Sequence, residues 1–267
     1  GYYAWSQGRS LFDFYTREWA GVDPSDGAPM WFQYYDDIND NNVLDVGEPS
    51  SSSSGSWIPV DETVENRSGS IVEYQRNVTD ANIKKTVTKT YADASEVYAN
   101  KSGIADIRGA FRLTGKLYDF SFSTQFTYSL GGYAYDAQYA ELMSDRFGAV
   151  GNNFHKDISN RWQNAGDITD VPVLSDNIVV NGTSPSTRFL TSTDYIALNN
   201  VNIGYAVPQK YLRGTSIDMC NISMTADNLF SGTARRGFLP NTSESGNSGR
   251  RLYAPVSTVS LGVRVKF

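Results

Sequence analysis

The stretch richest in residues that could do chemistry is Asp37-Ile-Asn-Asp-Asn-Asn-Val-Leu-Asp-Val-Gly-Glu48. Its oxygen donors fall where a twelve-residue EF-type calcium loop needs them. Asp37, Asn39 and Asn41 stand at positions 1, 3 and 5, Val43 offers a backbone carbonyl at 7, Asp45 stands at 9 and Glu48 at 12. Hard cations such as Ca2+ favour such a shell of carboxylate, amide and carbonyl oxygens, and the last Glu can bind through both of its oxygens. One position departs from the pattern, because Asn42 stands where glycine normally makes the sharp turn. Asparagine tolerates the left-handed backbone, so the expectation is a weakened cation site. The competing reading is an Asp/Asn-rich surface hairpin that binds nothing.

Other reactive side chains are sparse. The chain has one histidine, His155, in a predicted loop, and one cysteine, Cys220, in a predicted strand. No Ser-His-Asp or Cys-His arrangement can be built from them, and one cysteine excludes an intramolecular disulfide framework. The neighbouring carboxylates Asp36 and Asp37 could nominally act as acid and base, but the cation loop accounts for them better. No enzymatic activity is expected. Trp57 and Trp162 fall in predicted loops and are candidates for substrate contact, since an exposed indole suits a sugar face; an anchoring role by packing is the alternative.

These residues must be positioned by strands. The closing stretch Thr258–Phe267 alternates without a break, with Val259, Leu261, Val263, Val265 and Phe267 on one face and Ser260, Gly262, Arg264 and Lys266 on the other. Upstream, Ile107–Thr114 and Phe120–Leu130 alternate in the same way, and the spacing predicts a tight turn at Gly115-Lys116. In the second of these, Phe120, Phe122, Phe126, Tyr128 and Leu130 oppose Ser121, Ser123, Gln125, Thr127 and Ser129. Two further strands are expected over Tyr195–Tyr205 and Ile217–Phe230. An apolar face over a Ser/Gln/Thr face suits lipid outside and water inside, as in an outer-membrane barrel; a half-buried strand of a soluble sandwich has the same period.

Between these strands lie two expected outer loops. Residues 36–70 are rich in Asp, Asn and Ser, and residues 131–194 have no clear periodicity apart from a short helix expected at Ala137–Met143. Weak strand character is expected over 71–92 and a helical stretch around Ala92–Ala99. The cations Arg108, Arg112, Arg264 and Lys266 fall on the lumen side of the barrel reading, where pairing with carboxylates of a plug filling the lumen is expected, tuning of the pore being the alternative. Composition agrees with strands: 13% aromatic residues, 17 of them Tyr, mean hydropathy −0.41 and no long uncharged apolar run, which excludes a membrane-crossing helix but not a barrel. A net charge of −6 argues against nucleic acid as a partner. The opening Gly1-Tyr-Tyr-Ala-Trp suggests a chain that starts within a longer protein.

Several segments resemble one family in collinear order. Leu198-Asn-Asn-Val-Asn-Ile-Gly-Tyr-Ala-Val-Pro208, Ala226-Asp-Asn-Leu-Phe230, Gly237-Phe-Leu-Pro240 and the aromatic-ended terminal strand resemble the C-terminus of SusC-like (RagA-like) TonB-dependent transporters. Arg161-Trp-Gln-Asn-Ala-Gly-Asp167, Thr169-Asp-Val-Pro172 and Arg188-Phe-Leu190 are similar to that family's last long loop, as are Ser10–Tyr15 and Gly21–Gly27 to earlier segments. The resemblance implies an all-β fold: an antiparallel transmembrane β-barrel, with residues 1–267 as the C-terminal strands of a 22-stranded barrel. It places 36–70 and 131–194 as extracellular loops, and the plug domain outside this chain. It further implies the outer membrane of a Bacteroidota-type bacterium, import of an oligosaccharide or peptide, a SusD-like surface lipoprotein as partner, and TonB contact through the missing N-terminal region. A stand-alone small barrel with a structural or adhesive role, and a secreted calcium-binding β-sandwich, are the alternatives.

Overall fold

The computed structural model describes residues 3–4, 6–50, 71–144, 153–174, 181–235, 237–238 and 256–267. In chain order the elements begin with β1 (Asp13–Arg17), β2 (Trp19–Val22), β3 (Pro29–Asp36), α1 (Ile71–Asn77), β4 (Ile83–Thr88) and β5 (Glu96–Ser102). They continue with β6 (Ile107–Leu117), β7 (Phe120–Leu130), β8 (Tyr133–Tyr135), α2 (Ala137–Leu142), β9 (Leu190–Ser192), β10 (Tyr195–Ala206), α3 (Gln209–Leu212), β11 (Met219–Thr233) and β12 (Thr258–Lys266). No helix is long and apolar enough to cross a membrane. The chain divides into two compact units, Gly1–Ser102 with Tyr135–Leu190, and Gly103–Ala134 with Thr191–Phe267.

The first unit is built on a three-stranded antiparallel sheet, β2-β3-β4, and a β1–β5 ribbon. Phe14, Trp31, Tyr35, Tyr74 and Phe189 are buried in it. Trp31 meets Trp19 and Tyr91 edge-on, with ring centroids 5.6 and 5.3 Å away. Two expectations are corrected here. Residues 71–77 are helical, because Ile71 and Tyr74, three apart on one helix face, are both buried, and Tyr74 Oη donates to Asp36 Oδ2 at 2.8 Å. The stretch expected to be helical around Ala92–Ala99 turns at 91–94 and then enters strand β5. There it pairs with β1, with Tyr15 against Tyr98 (5.0 Å between rings) and Arg17 ion-paired to Glu96 at 2.5 Å. Long-range pairing overrides the local helix preference of Ala and Glu.

The second unit is one five-stranded antiparallel sheet in the order β12-β11-β10-β7-β6. The strands are 11, 11, 12, 15 and 9 residues long in chain order. A tilted strand of about 9–11 residues spans a bilayer's hydrocarbon core. The β6–β7 turn falls at Tyr118-Asp119, not at Gly115-Lys116 as the sequence suggested, and Tyr118 has φ 52°. Gly115 remains within β6 opposite Phe122, whose ring covers it: a Cβ there would lie 2.3 Å from a ring carbon. Gly109 lies under Tyr128 in the same way. Glycine in this strand therefore makes room for an aromatic from the neighbouring strand instead of ending it.

The register aligns the apolar residues of all five strands. Phe111, Phe126, Leu198 and Phe230 are successive partners across β6, β7, β10 and β11; Ile203 pairs with Phe122 and Met224, and Met224 pairs with Leu261. Phe111 stacks on Phe126 at 4.9 Å and Phe120 packs on Tyr205 at 4.6 Å. The alignment depends on a bulge. β10 carries one residue, Asn199, between pairs that are adjacent on β7, and β11 carries Asn228 and Leu229 at the same level. Without it, the even-numbered apolar residues Ile196 and Leu198 would oppose the odd-numbered Val201, Ile203 and Tyr205. Asn228 adopts φ 53°, a conformation that β-branched residues avoid. Asn228→Val should lower stability by about 1–2 kcal/mol, whereas Asn228→Gly should be near neutral, as read from unfolding midpoints of the two variants.

Candidate functional site

The Asp37–Glu48 loop is held by hydrogen bonds from its own backbone and side chains. Asn42, at the position normally held by glycine, adopts φ 61°, and Asp40 adopts φ 55°. Asp37 is 1% exposed; its Oδ1 and Oδ2 accept the backbone N–H groups of Asn41 and Asn42 at 3.0 and 2.9 Å. Glu48 closes the loop, with Oε1 and Oε2 accepting the N–H groups of Ile38 and Asp45 at 3.1 and 2.9 Å. Two carboxylates at opposite ends of a twelve-residue segment thus satisfy four backbone donors.

In the middle of the loop, the side-chain amides of Asn39 and Asn41 donate to the same oxygen, Asp45 Oδ2, at 2.8 and 2.7 Å. These two bonds hold the Asp45 carboxyl below the usual carboxylate range, the Asn39 bond contributing most. A primary amide presents an oxygen and a nitrogen of nearly equal size, so rotating each amide would present oxygen in place of N–H. The donor set therefore fits a hard cation in chemistry: carboxylates, amide oxygens and the Val43 carbonyl. Among the described residues no three His, Cys, Asp or Glu side chains converge on one point. A cation here would accordingly draw on the neutral oxygens as well as the carboxylates.

The loop is keyed to the rest of its unit through Asn82. Asp37 donates its N–H to the Asn82 carbonyl at 3.0 Å, and the Asn82 amide reaches Asp37 O and Asp40 Oδ1, each at 3.1 Å. The Asn82 N–H in turn donates to Asp36 Oδ1 at 2.7 Å. Asp36 and Asp37 therefore belong to one network of backbone and amide partners, which explains two adjacent buried carboxylates without an acid–base role.

The other candidates are spread out. Trp162 is half-buried; its indole N–H donates to Pro24 O at 3.1 Å and its ring lies 2.6 Å from where a Gly27 Cβ would stand. Gly27, at φ 75°, is thereby fixed by both conformation and space. Trp162 anchors its loop on the 23–28 turn in this structure. The same turn is held to Lys89, whose ammonium lies 2.6 Å from Asp23 and 2.8 Å from Asp26 and lowers the pKa of both acids. Trp57, with all of 51–70, lies outside the described residues, as do Leu239 and Pro240. His155 caps a short 3-10 turn, Nδ1 accepting from the Asp157 N–H at 3.2 Å, and packs edge-on against Tyr139. Cys220 is half-buried on the apolar face of β11, opposite Val265.

The largest functional surface is the second unit's sheet itself. On one side stand Phe120, Phe122, Ile203, Met224, Val259, Leu261 and Val263, all exposed, Leu261 by 78%. Leaving such a side chain in water forgoes about 1.5–3 kcal/mol each, so a face of this extent must be covered by an apolar medium. The other side is polar and cross-linked between strands. Arg112 donates to Gln125 Oε1 at 3.0 Å, Asn200 to Asp227 Oδ1 at 2.7 Å, Asn202 to Thr225 Oγ1 at 2.8 Å, and Thr127 to Asn199 Oδ1 at 2.6 Å. The sequence indicated which side these residues occupy; the rungs became visible once register and bulge were known.

Comparisons with known proteins agree with this surface. No family profile matches the chain. It is 27% identical over 175 residues to TonB-dependent receptor P39 of Formosa agariphila, covering 62% of this chain and 16% of that protein. TonB-dependent receptor P3 of the same organism is 24% identical over 159 residues, covering 56% and 15%. Among solved structures, the RagAB peptide transporter matches with a TM-score of 0.60 at 20% identity, over 96% of this chain and 23% of that one. The RagAB peptide importer in its closed-closed state gives 0.59 at 21% identity, over 96% and 23%. The chain thus spans about a sixth of the length of the curated relatives it matches. These relatives are named as receptors and transporters, not as enzymes.

Two consequences can be measured. Asp37→Ala removes a charged acceptor from two backbone donors, each bond worth about 1.5–3 kcal/mol, so amide exchange at Asn41 and Asn42 should accelerate strongly. The depressed Asp45 pKa means its contribution to the wound loop is present above the unfolded value of about 3.9 and is lost as pH falls through the lower folded value. Exchange at Asn39–Asp45 should therefore stay slow above the unfolded carboxylate value of about 3.9 and rise as the pH falls below it, after correction for intrinsic rates.

Taken together, the two-faced sheet, the collinear sequence segments and the matched receptors make this chain similar to part of the TonB-dependent receptors, with the fold of part of the RagAB transporter.

Proposed function

We propose that the chain forms part of the wall of an outer-membrane importer, and that the complete protein takes up oligosaccharides or peptides with energy supplied through TonB. The single observation that carries this reading is the unbroken apolar face across five strands of membrane-spanning length, backed by a polar face. In hydrocarbon the outer edges of β6 and β12 would leave backbone groups unsatisfied, so each edge must be paired in a closed barrel. Five strands cannot close, and a 22-stranded barrel supplied by the longer protein is the closure we propose. Residues 36–70 and 131–194 then belong to the extracellular side, and the short connections at 118–119 and 207–218 to the periplasmic side. A SusD-like lipoprotein at the outer mouth is the proposed partner; plug and TonB contact belong to the remainder of the polypeptide.

Calcium at Asp37, Asn39, Asn41, Val43, Asp45 and Glu48 is part of the same proposal. The left-handed Asn42 and the paired caps at Asp37 and Glu48 support it, and extracellular calcium is abundant enough to fill even a weak site. Ca2+ would replace the amide hydrogens now neutralising Asp45 and lock the hairpin. Asn42→Gly should tighten Tb3+ binding by up to about fivefold, because glycine adopts the left-handed turn without strain. Glu48→Gln should weaken it, and luminescence titration of the two variants reads both. A substrate role for Trp57 and Trp162 would appear as altered uptake in alanine variants whose assembly is unchanged.

The transport reading is tested by deleting the gene in its host and supplying defined peptide and oligosaccharide pools. Loss of growth on one pool, restored by the wild-type gene and not in a strain lacking TonB, is expected; unchanged growth on every pool contradicts it. For the membrane face, Leu261→Arg should cost about 2–4 kcal/mol and reduce outer-membrane assembly, whereas Ser260→Arg on the opposite side should be tolerated.

A further inference from the structure

On its apolar side the five-stranded sheet is built in level rows. Leu117, Phe120, Tyr205, Ile222 and Val263 are successive partners across β6, β7, β10, β11 and β12, and form the last row complete across all five strands. At the other end of β6 and β7, Ile107 pairs with Leu130. β6 runs 11 residues from Ile107 to Leu117, a rise of about 33 Å. At a barrel tilt of about 35–45° that is about 25 Å along the bilayer normal, the full height of an outer-membrane barrel's apolar band. The rows therefore use up the hydrocarbon, and residues 118–119 stand beyond it.

What stands beyond it is aromatic. Tyr118 opens the β6–β7 turn, is 88% exposed and has φ 52°, at a position where such turns favour glycine or asparagine. An aromatic residue in that conformation is strained. At that exposure the ring gains little by packing on the sheet, so the gain that offsets the strain lies outside it. The β10–β11 connection repeats the arrangement. Tyr211, on α3, is 64% exposed, with the Lys210 ammonium 4.8 Å from its ring centroid. Strands β7 and β12 flank that connection in the sheet, so its exposure does not arise at an open edge. A ring with an apolar body and a polar tip, beside a long cationic side chain, suits the layer between hydrocarbon and water. That layer is about 5–7 Å thick on each side of a bilayer, the reach of about two residues of extended chain.

Resting on the reading of this sheet as a membrane wall, we propose that Tyr118 and Tyr211 dock in the phospholipid headgroup layer and fix the level of the bilayer on the sheet. The test uses the complete transporter, stripped of other cysteines (Cys220→Ala among them), in a phosphatidylethanolamine/phosphatidylglycerol bilayer. Nitroxide labels are placed through Tyr118→Cys and Tyr211→Cys, with Phe122→Cys and Leu261→Cys as references within the apolar rows. Depth is read from collisions with oxygen, which enters hydrocarbon, and with a nickel chelate, which stays in water. Labels at 122 and 261 are expected to meet oxygen and lose the nickel signal. Labels at 118 and 211 are expected to fall between these and a label free in buffer, within about 5–7 Å of the hydrocarbon boundary. Free collision with nickel at 118 and 211 overturns the proposal. So does exclusion of both reagents, which would bury the two residues against another part of the transporter. Tyr118→Trp gives a reading without cysteine: quenching by lipid brominated next to the headgroup is expected, and its absence overturns the proposal. If 122 and 261 themselves fail to meet oxygen, the membrane-wall reading fails; if they meet it while 118 and 211 stand in water, that reading remains and this inference alone falls.

Discussion

An apolar sheet face in hydrocarbon is compatible with one kind of backbone arrangement, in which every N–H and C=O has a strand partner. Water can satisfy the edge of a soluble sheet, but lipid cannot, and each unsatisfied group there costs several kcal/mol. The remaining features of the second unit follow from this. Short connections, such as Tyr118-Asp119, keep β6 and β7 in continuous register. Glycine at 109 and 115 admits Tyr128 and Phe122 without breaking the ladder. In the proposed barrel, the outer edges of β6 and β12 are where the remaining strands would attach.

The bulge at Asn199 and Asn228 is the feature on which the two-faced character most depends. It resets side-chain parity within β10, so that Ile196 and Leu198 join Val201, Ile203 and Tyr205 on one side. At the same level, Thr127–Asn199 and Asn200–Asp227 hydrogen bonds join β7, β10 and β11 on the other side. Asparagine suits both demands, since its side chain bonds locally and its backbone tolerates positive φ. The first unit solves a different problem. There Asp36, Asp37 and Asn82 bind a wound loop to a small sheet, and Trp162 fixes another loop to the 23–28 turn.

Much of the sheet could be read in the sequence because period-two alternation is a local signal. β7, β10, β11 and β12 lie close to their expected bounds, and α2 lies where a short helix was expected. The misplaced turn at Gly115-Lys116 arose because glycine signals a turn locally, while the aromatic that occupies its space comes from the next strand. Residues 71–77 and Ala92–Ala99 depart from their local preference for the same reason: burial of Ile71 and Tyr74, and pairing of Tyr98 with Tyr15, are long-range facts. In the Asp37–Glu48 loop the spacing of oxygen-bearing residues is legible in the sequence, whereas the convergence of both Asn amides on Asp45 is not, because rotamers leave no trace in the order of residues. The polar rungs were hidden by the bulge, which shows in the sequence as the doubled Asn199-Asn200.

The central claim is that alternate residues of these strands face lipid and water. Its most direct measurement is a cysteine scan of Val259–Lys266 in a Cys220→Ala background of the complete protein, in intact outer membranes. Each variant is labelled in parallel with a water-soluble and a lipid-soluble maleimide. The account predicts a strict period of two, with 259, 261, 263 and 265 taking the lipid-soluble reagent and 260, 262, 264 and 266 being shielded from it. Labelling of all eight positions by the water-soluble reagent, or a pattern without that period, would contradict it.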